Sequence, residues 1–304
     1  MEDLAKLPDP PGWVTETIVI WSRFPSRKGI LDLSNRQLTQ VPKEIFRLRN
    51  IEALCFAKNK LTGISDEFGS FKESSSTLKE IDCSENEISF VASSLERLTS
   101  LQTLKLAHNQ LLTIPSCIKS LYNLTHLDLS HNQLTSVDAP VASLVFLETF
   151  NLSHNKIKIF PDFITTMGSL RHLDLSHNQL ASLSSQIRSL TRLKTLKLDN
   201  NCLEDIPYEL GLLITTDELT IHENPLSLKP IIHKKKLYER RKILLFLRNC
   251  MRGQQNLRMY LFMEKDNDRN TRWEMVERES KPILTGATVE KIVLYLTQVA
   301  VPGK

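Results

Sequence analysis

The sequence of 304 residues lacks the features that usually mark a nucleotide-dependent enzyme, a secreted protein or a membrane protein. Its nine glycines form no glycine-rich phosphate-binding loop. No apolar run reaches the roughly 18 residues that a membrane-spanning helix needs. The start, Met1–Asp3, shows no basic stretch followed by an apolar one. We therefore expect neither a signal peptide nor a membrane span.

The cysteines are few and scattered. There are five of them, an odd number that does not suit a framework of paired disulfides. Two, Cys83 and Cys117, fall at positions where a thiol acts as a small apolar core group. We therefore expect a reduced, cytoplasmic protein. The full set is Cys55, Cys83, Cys117, Cys202 and Cys250.

What the sequence does contain is an asparagine that recurs at fixed intervals. The first interval is 27 residues and every later one is 23 residues. A period of this length indicates a solenoid of stacked units, an architecture that usually serves recognition. We place the extra residues of the long unit at Glu73–Ser76, on the outer side. The asparagines are Asn59, Asn86, Asn109, Asn132, Asn155, Asn178, Asn201 and Asn224.

Three apolar positions accompany each asparagine. They lie five and three residues before it and two residues after it, as at Leu127, Leu129 and Leu134 around Asn132. Nine units show this pattern, the first with Arg36 in place of the asparagine. Two apolar residues spaced by two predict a short strand with one buried face. The asparagine should then turn the chain and bond to bare backbone groups, so that losing one costs roughly 1–3 kcal/mol.

The rest of each unit should return along the outside of the stack. A proline begins this return in four units and prevents the strand from continuing. A short helical or 3₁₀ segment is expected to follow. Because strands need less width than these outer segments, the stack should bend into an arc with the strands inside. The proline steps are Val41-Pro42, Ile114-Pro115, Phe160-Pro161 and Ile206-Pro207.

The segment from Leu124 to Leu134, with leucines and asparagine in the order Leu-x-x-Leu-x-Leu-x-x-Asn-x-Leu, resembles the leucine-rich-repeat family. The 23-residue length and the Ile-Pro step are similar to its Ras-group branch, which includes Ras-binding scaffolds. The resemblance covers residues 29–226 and implies an α/β solenoid, a curved horseshoe with a parallel sheet on its concave face. Residues 1–28 would be an N-terminal cap. Extracellular members usually carry paired cysteines in their caps, a pattern absent here.

The side chains between the buried strand positions should line the concave face and form the candidate protein-binding row. Their mixed charges suit electrostatic selection of a protein partner. The interface could reach the ordinary size of about 1,600 Å². No aromatic platform for stacked bases occurs there, so nucleic acid is not expected. The predicted contact residues are Glu80, Asp82, Lys105, His126, Asp128, Asn151, His172, Asp174 and Lys197.

Two histidine patterns raise the question of catalysis or metal binding. His126, Asp128 and Ser130 alternate along one strand, but no oxyanion-hole turn or nucleophile elbow accompanies them. A second row of histidines precedes the asparagines, and strands about 4.8 Å apart make this row a line rather than a metal cage. We expect no catalytic residue, metal or cofactor, and the alternative for this second row is a pH-sensitive interface. Its members are His108, His131, His154 and His177.

Residues 227–254 are predicted to form a basic helical cap. They hold nine Lys and Arg against Glu239, although the whole chain has a net charge of only +4. An apolar stripe at Ile243, Leu244, Leu247 and Met251 should cover the end of the core. Three interpretations of the basic side are open: a solvated face, nuclear import or nucleic-acid binding, and contact with anionic membrane. The membrane-contact residues would be Lys234, Lys235, Lys236, Arg240 and Arg241.

Residues 255–304 form a tail without the repeat. Thr288 can cap a helix whose apolar stripe includes Ile292 and Leu296. Residues 282–298 are similar to the start of the N-terminal domain of Ras-type guanine-nucleotide exchange factors, and an unrelated amphipathic helix is the alternative. If the resemblance holds, the catalytic exchange domain is missing from this chain.

The sequence therefore predicts a cytoplasmic, non-catalytic scaffold that binds another protein through its concave face. The resemblance implies a role in small-GTPase signalling, with a Ras-type GTPase or its regulator as partner. Two alternatives are the targeting module of a Ras exchange factor and a membrane-associated adaptor that uses the basic cap. No cofactor is expected.

Overall fold

The computed structural model describes residues 29–71, 76–226, 244, 247, 260–264 and 273–277. The predicted N-terminal cap, the basic residues 234–241 and the exchange-factor-like segment 282–298 lie outside the described residues, as does all of the predicted insertion except Ser76. The chain divides into two compact units. The first comprises Met1–Ile157 with Ser169–Asp174, and the second Lys158–Gly168 with Leu175–Lys304.

Nine short strands, one from each repeat, form a parallel sheet in chain order. The register follows the repeat, because Leu104, Leu127 and Phe150 are direct partners across three neighbouring strands. The predicted solenoid with a parallel sheet is therefore confirmed. The strands are Gly29–Asp32, Ile51–Cys55, Glu80–Asp82, Thr103–Lys105, His126–Asp128, Thr149–Asn151, His172–Asp174, Thr195–Lys197 and Glu218–Thr220.

The core lies along the inward side of this sheet. In the strand His126–Asp128 the middle residue is buried while its neighbours face out. The three predicted apolar positions are buried in all nine units, and Leu129 and Leu134 are 0% exposed. Burying one such side chain contributes roughly 1.5–3 kcal/mol. A column of equivalent residues therefore stabilises each repeat against its neighbours.

The outer segments are five-residue 3₁₀ helices, as predicted. Proline occupies the N-terminal cap of several, including Pro42, Pro161 and Pro207, in an extended conformation. At the other end the backbone N–H of Leu121 donates to the Ile118 carbonyl at 3.0 Å. The segments in the described part are Lys43–Arg47, Asp66–Ser70, Ser93–Arg97, Ser116–Ser120, Ala139–Ser143, Asp162–Thr166, Ser185–Ser189 and Tyr208–Leu212.

Two small sheets were not predicted. Gly63–Ile64 pairs in parallel with Phe90–Val91, beside the long repeat. A Cβ atom on Gly63 would lie 2.2 Å from Cε1 of Phe90, so the absence of a side chain lets the ring lie over the backbone. The second sheet pairs Tyr260–Glu264 with Trp273–Glu277 in antiparallel order.

The predicted C-terminal helix is described at two of its stripe residues. Leu244 and Leu247 are helical and are 6% and 0% exposed. Both are therefore packed as an apolar stripe requires. Ile243 and Met251 lie outside the described residues.

Candidate protein-binding surface

The repeated asparagines hold the turns that end the strands. The Asn132 amide nitrogen donates to the carbonyl oxygens of Leu106, Leu129 and Ser130 at 2.9, 3.1 and 3.1 Å. Its oxygen accepts the Leu111 N–H at 3.0 Å. Each side chain thus ties its own turn to the preceding repeat. Closely similar contacts are made by Asn59, Asn86, Asn109, Asn155, Asn201 and Asn224.

The residue before each of these asparagines has a left-handed backbone, and in the middle repeats it is histidine. His108, His131 and His154 have φ values of 53°, 52° and 55°. Their rings stack at centroid distances of 3.8 and 3.9 Å, each pair 12° from parallel. Parallel rings point their nitrogens in the same direction instead of toward a common centre. These three histidines therefore form a packed column in the turns that follow the strands.

We use the name strand face for the outward side of the parallel sheet, where residues alternate with the buried ones. Eight of the nine predicted contact residues lie on the strand face of the first unit, and Lys197 lies on that of the second. His126 and His172 are exposed, while the others are partly buried. All nine side chains are thus at the surface, on one side of their strands.

Lys105 forms an ion-pair cluster on this face. Its ammonium nitrogen lies 2.7 Å from Oε1 of Glu80 and 3.6 Å from Oδ2 of Asp82. The hydrogen bond to Glu80 is the main reason that the pKa of Lys105 is raised, and the negative charge of Asp82 adds to the effect. The positive charge of Lys105 is therefore balanced by two carboxylates on the preceding strand.

A second pattern, missed at the sequence level, braces the acidic and amide side chains. Oδ1 of Asp128 accepts both the backbone N–H and the hydroxyl of Ser130, at 2.9 and 2.7 Å. Asn151 receives the same pair of bonds from Ser153, at 3.1 and 2.8 Å. The signal was present as an Asp or Asn followed two positions later by Ser. This short-range capture of a backbone N–H fixes each side chain against its own strand.

The same brace acts at Asp82 and Asp32. Asp82 accepts the Ser84 N–H at 3.0 Å, and Asp32 accepts the Ser34 N–H at 2.9 Å. Hydrogen bonds from Ser34 hold the pKa of Asp32 below its ordinary value. The brace thus favours the charged carboxylate.

His126, Asp128 and Ser130 do not form a nucleophile–base pair. The Ser130 hydroxyl donates to Asp128, and Nδ1 of His126 lies 2.9 Å from the Thr125 hydroxyl. A catalytic serine would instead donate to the histidine. The three residues therefore act as a brace and a neighbouring polar contact.

In the second unit Lys197 lies 4.0 Å from Oε1 of Glu218. Nearby, Oδ1 of Asp199 accepts the His222 N–H at 2.7 Å, and its other oxygen accepts the Thr220 hydroxyl. Charged side chains on this strand face thus contact polar or charged groups of the next repeat.

Within the described ranges, no group of three or more His, Cys, Asp or Glu side chains could hold a metal ion. The same part of the chain contains no helix whose length and apolar character would let it cross a membrane.

Comparisons with known proteins agree with this architecture. Residues 122–165 and 169–210 match a family model for two copies of leucine-rich repeats, and residues 100–121 match a single leucine-rich repeat. The chain therefore contains leucine-rich repeats, and its fold is the leucine-rich-repeat solenoid. These matches span residues 100–210 and do not reach the segment similar to an exchange factor. No curated protein sequence matches the chain.

Several solved structures have the same fold. A leucine-rich-repeat protein of Leptospira interrogans is 31% identical with a TM-score of 0.65, covering 76% of this chain and 55% of its own. The chain thus spans about half the length of that protein. The ectodomain of the Arabidopsis thaliana receptor kinase GASSHO1/SCHENGEN3, in complex with CASPARIAN STRIP INTEGRITY FACTOR 2, is 26% identical with a TM-score of 0.50, covering 62% and 26%. TLR13, solved in the TLR13–ssRNA13 complex, is 25% identical with a TM-score of 0.54, and the match covers 60% of this chain and 26% of that one.

Proposed function

We propose that this protein is a non-catalytic scaffold that binds another protein through its strand face. The observation that carries the proposal is the braced row on the first unit, where Asp82, Asp128 and Asn151 are each fixed by the serine two residues later. Side chains held in place before binding lose little entropy when a partner docks. A row of such groups on a regular sheet suits selective contact with a folded or extended polypeptide.

The charge of this face favours a protein over a nucleic acid. The similar plant ectodomain is solved with CASPARIAN STRIP INTEGRITY FACTOR 2 and TLR13 with ssRNA13, so the fold alone does not decide the class of partner. On the first unit the outward strand positions carry more carboxylates than ammonium groups. Phosphates would be repelled there, whereas nucleic-acid binding depends on neutralising them with Lys and Arg.

For the partner, we propose a Ras-type small GTPase or its regulator in the cytoplasm. Support comes from the 23-residue unit with its Ile-Pro step, which is similar to the Ras-group branch. The four cysteines in the described part, Cys55, Cys83, Cys117 and Cys202, are free thiols, as a reducing compartment requires. The alternatives remain a targeting module of a Ras exchange factor, supported by residues 282–298, and a membrane adaptor, supported by the basic residues 234–241.

Affinity purification with the full chain tests the binding role. Thr149 lies on the strand face, whereas Thr113 is exposed in the segment that follows the repeated Asn109. We expect Thr149→Trp to lose the partner that the unchanged chain retains, because the added ring covers the middle of the row. Thr113→Trp is the matched control and should retain it. Equal recovery with both variants would contradict binding through this face.

The identity of the recovered protein tests the finer proposal. A small GTPase or one of its regulators would support a role in Ras-type signalling. Recovery that requires anionic vesicles and disappears as salt is raised would support the membrane adaptor instead.

A further inference from the structure

The outer segments of the last two repeats place apolar side chains beside arginines. Leu212 ends the last 3₁₀ segment and Ile214 follows it, and they are 36% and 70% exposed. Arg188 and Arg192 are exposed in the preceding repeat, within and just after its own 3₁₀ segment. A single exposed apolar residue is ordinary, but aliphatic side chains next to guanidinium groups form an amphipathic surface. We call these four residues the outer-turn surface.

Hydrogen bonds between the two repeats bring their turns together. The Thr215 hydroxyl donates to the carbonyl oxygens of Thr191 and Leu193, at 2.7 and 3.1 Å. Ile214 directly precedes the donor, and Arg192 lies between the two acceptor residues in the chain. The two turns are thus bonded side by side, with an isoleucine and an arginine at the joint.

The arginines of this surface keep their charge unpaired within the described part of the chain. Lys194 is paired with Asp217 at 3.6 Å, whereas neither Arg188 nor Arg192 forms an ion pair with a described residue. Residues 184–194 contain no acidic residue, and the acidic residue in 207–216 is Glu209, which is half-buried. The outer-turn surface therefore carries a positive charge that suits an anionic partner.

The chain that follows this surface is strongly basic. The last repeat ends at Leu226, and residues 227–254 contain nine Lys and Arg against Glu239. Both stretches belong to the second compact unit. Clusters of basic residues attract a protein to anionic lipid headgroups, but salt screens this attraction. An apolar side chain that enters the bilayer supplies a second contribution, and stable anchoring needs two.

The apolar part of the surface favours lipid over other anionic partners. Leu212 and Ile214 are aliphatic, so they offer no ring on which a nucleic-acid base could stack. An acidic protein could pair with the arginines, but it would also need an apolar pocket that fits Ile214. A bilayer supplies headgroup charge and an apolar interior without any matching shape.

We propose that the outer-turn surface binds an anionic lipid bilayer. Arg188 and Arg192 contact the lipid phosphates, and Leu212 and Ile214 enter the boundary between headgroups and acyl chains. The inference rests on the membrane-adaptor alternative and adds a folded contact surface to its basic residues 234–241. Because it uses the outer segments, it leaves the strand face to a protein partner.

Vesicle flotation with the full chain tests the charged part. We expect binding to phosphatidylcholine vesicles with about 30% phosphatidylserine at about 100 mM salt, and little binding to phosphatidylcholine alone. Replacing Arg188 and Arg192 together with glutamine should weaken the binding about tenfold. Arg97→Gln with Lys119→Gln removes the same charge from exposed outer positions of the first unit and should weaken it less than about threefold. Equal losses in the two double variants would show a general charge effect and would refute the site.

The apolar part is tested by a change that leaves the charge unaltered. Ile214→Ser should weaken binding to the same vesicles at least about fivefold, because little apolar volume is left to enter the bilayer. Ile159 is 81% exposed and precedes the outer segment of its repeat. Ile159→Ser is therefore the matched control and should stay within about twofold. Unchanged binding with Ile214→Ser would overturn the proposal.

A conservative variant guards against damage to the fold. Tryptophan is apolar and suits the headgroup level of a bilayer, so Ile214→Trp should bind vesicles as well as the unchanged chain does. Its fluorescence should also shift to shorter wavelength with anionic vesicles, beyond any shift of the unchanged chain and its three tryptophans. No additional shift would refute the proposal even if Ile214→Ser were unstable.

The results also separate this inference from the adaptor role. If the chain binds anionic vesicles and none of these variants weakens that binding, the adaptor role stands and the outer-turn surface is wrong. If the chain binds no anionic vesicle, both are wrong. Capture of an acidic protein through Arg192 and Ile214, without vesicle binding, would likewise refute the lipid ligand.

Discussion

Replacing Asn132 with alanine tests whether the repeated asparagine stabilises the solenoid. The side chain is 7% exposed and makes four hydrogen bonds with backbone groups. Its loss leaves the surrounding main chain in place, so the cost depends on which partners find another bond. The neighbouring asparagines supply a partner to some of these backbone groups.

The three carbonyl oxygens retain a second donor. Leu106 also receives Asn109 at 3.1 Å, and Leu129 also receives Asn155 at 3.0 Å. The third, Ser130, keeps the backbone N–H of His108 at 2.9 Å. The N–H of Leu111, in contrast, donates only to Oδ1 of Asn132.

One buried donor is therefore orphaned, and its desolvation costs roughly 1–3 kcal/mol. The weakened carbonyl contacts add about 1 kcal/mol, since a typical net hydrogen bond is worth that much. We expect Asn132→Ala to lower the free energy of unfolding by about 2–4 kcal/mol. The exchange of the Leu111 amide hydrogen should also become faster, because its acceptor is gone.

Urea unfolding followed by circular dichroism measures the first effect, and hydrogen exchange measures the second. Asn123→Ala is the matched control, because Asn123 is exposed and its amide donates to the Thr99 carbonyl at 2.8 Å. It should cost less than about 1 kcal/mol. If Asn132→Ala lowers the free energy of unfolding no more than this control, or leaves exchange at Leu111 unchanged, the repeated asparagines do not stabilise the fold in the way described.

Three further changes have expected outcomes that follow from packing and burial. Leu127→Ala should cost about 2–5 kcal/mol in urea unfolding because the side chain is 1% exposed, whereas Ile159→Ala, at 81% exposed, should stay within about 0.5 kcal/mol. Gly63→Ala should lower the free energy of unfolding by about 1 kcal/mol because the exposed Phe90 ring must move from the new Cβ. When Phe90 is already replaced by alanine, adding Gly63→Ala should have no such cost in the same assay. Burial raises the pKa of Cys117 from 9.0 to about 11, so the unfolded chain loses this proton first and stability should fall as pH rises between these values. Cys117→Ala should show a smaller fall over that interval, and an equal fall would contradict the assignment.

The repeat could be predicted from the sequence because one pattern recurs in every unit. Three apolar columns around Asn132 and its equivalents place the strands, the core and the outer 3₁₀ segments, and all three features are confirmed. Local periodicity is sufficient here because each unit packs only against similar units. The pair Gly63–Ile64 and Phe90–Val91 could not be found this way, since it depends on how two particular repeats approach each other.

The candidate surface was less accessible to prediction. The sequence placed Asp128 and Asn151 on an outward row, but it did not show that Ser130 and Ser153 use one oxygen of each. Nor did it distinguish Lys105, which is paired with Glu80, from a group presented to a partner. Such distinctions depend on side-chain rotamers and distances, which alternation along a strand does not encode. The contact row as a whole stays a prediction.

The asparagine contacts have a consequence for how such a chain can change in length. Asn109 binds Cys83, Leu106 and Ala107 in the way that Asn132 binds Leu106, Leu129 and Ser130, so successive joints are chemically interchangeable. An in-frame duplication or excision of 23 residues, such as 110–132, recreates the joint that it interrupts. The four extra residues of the long unit leave the bonds of Asn86 to Phe56 and Leu61 intact, so a change of length is tolerated on the outer segment but not between a strand and its asparagine. Rearrangement by a whole period, or insertion in an outer segment, is thus the route by which a gene of this kind can grow while its product still folds.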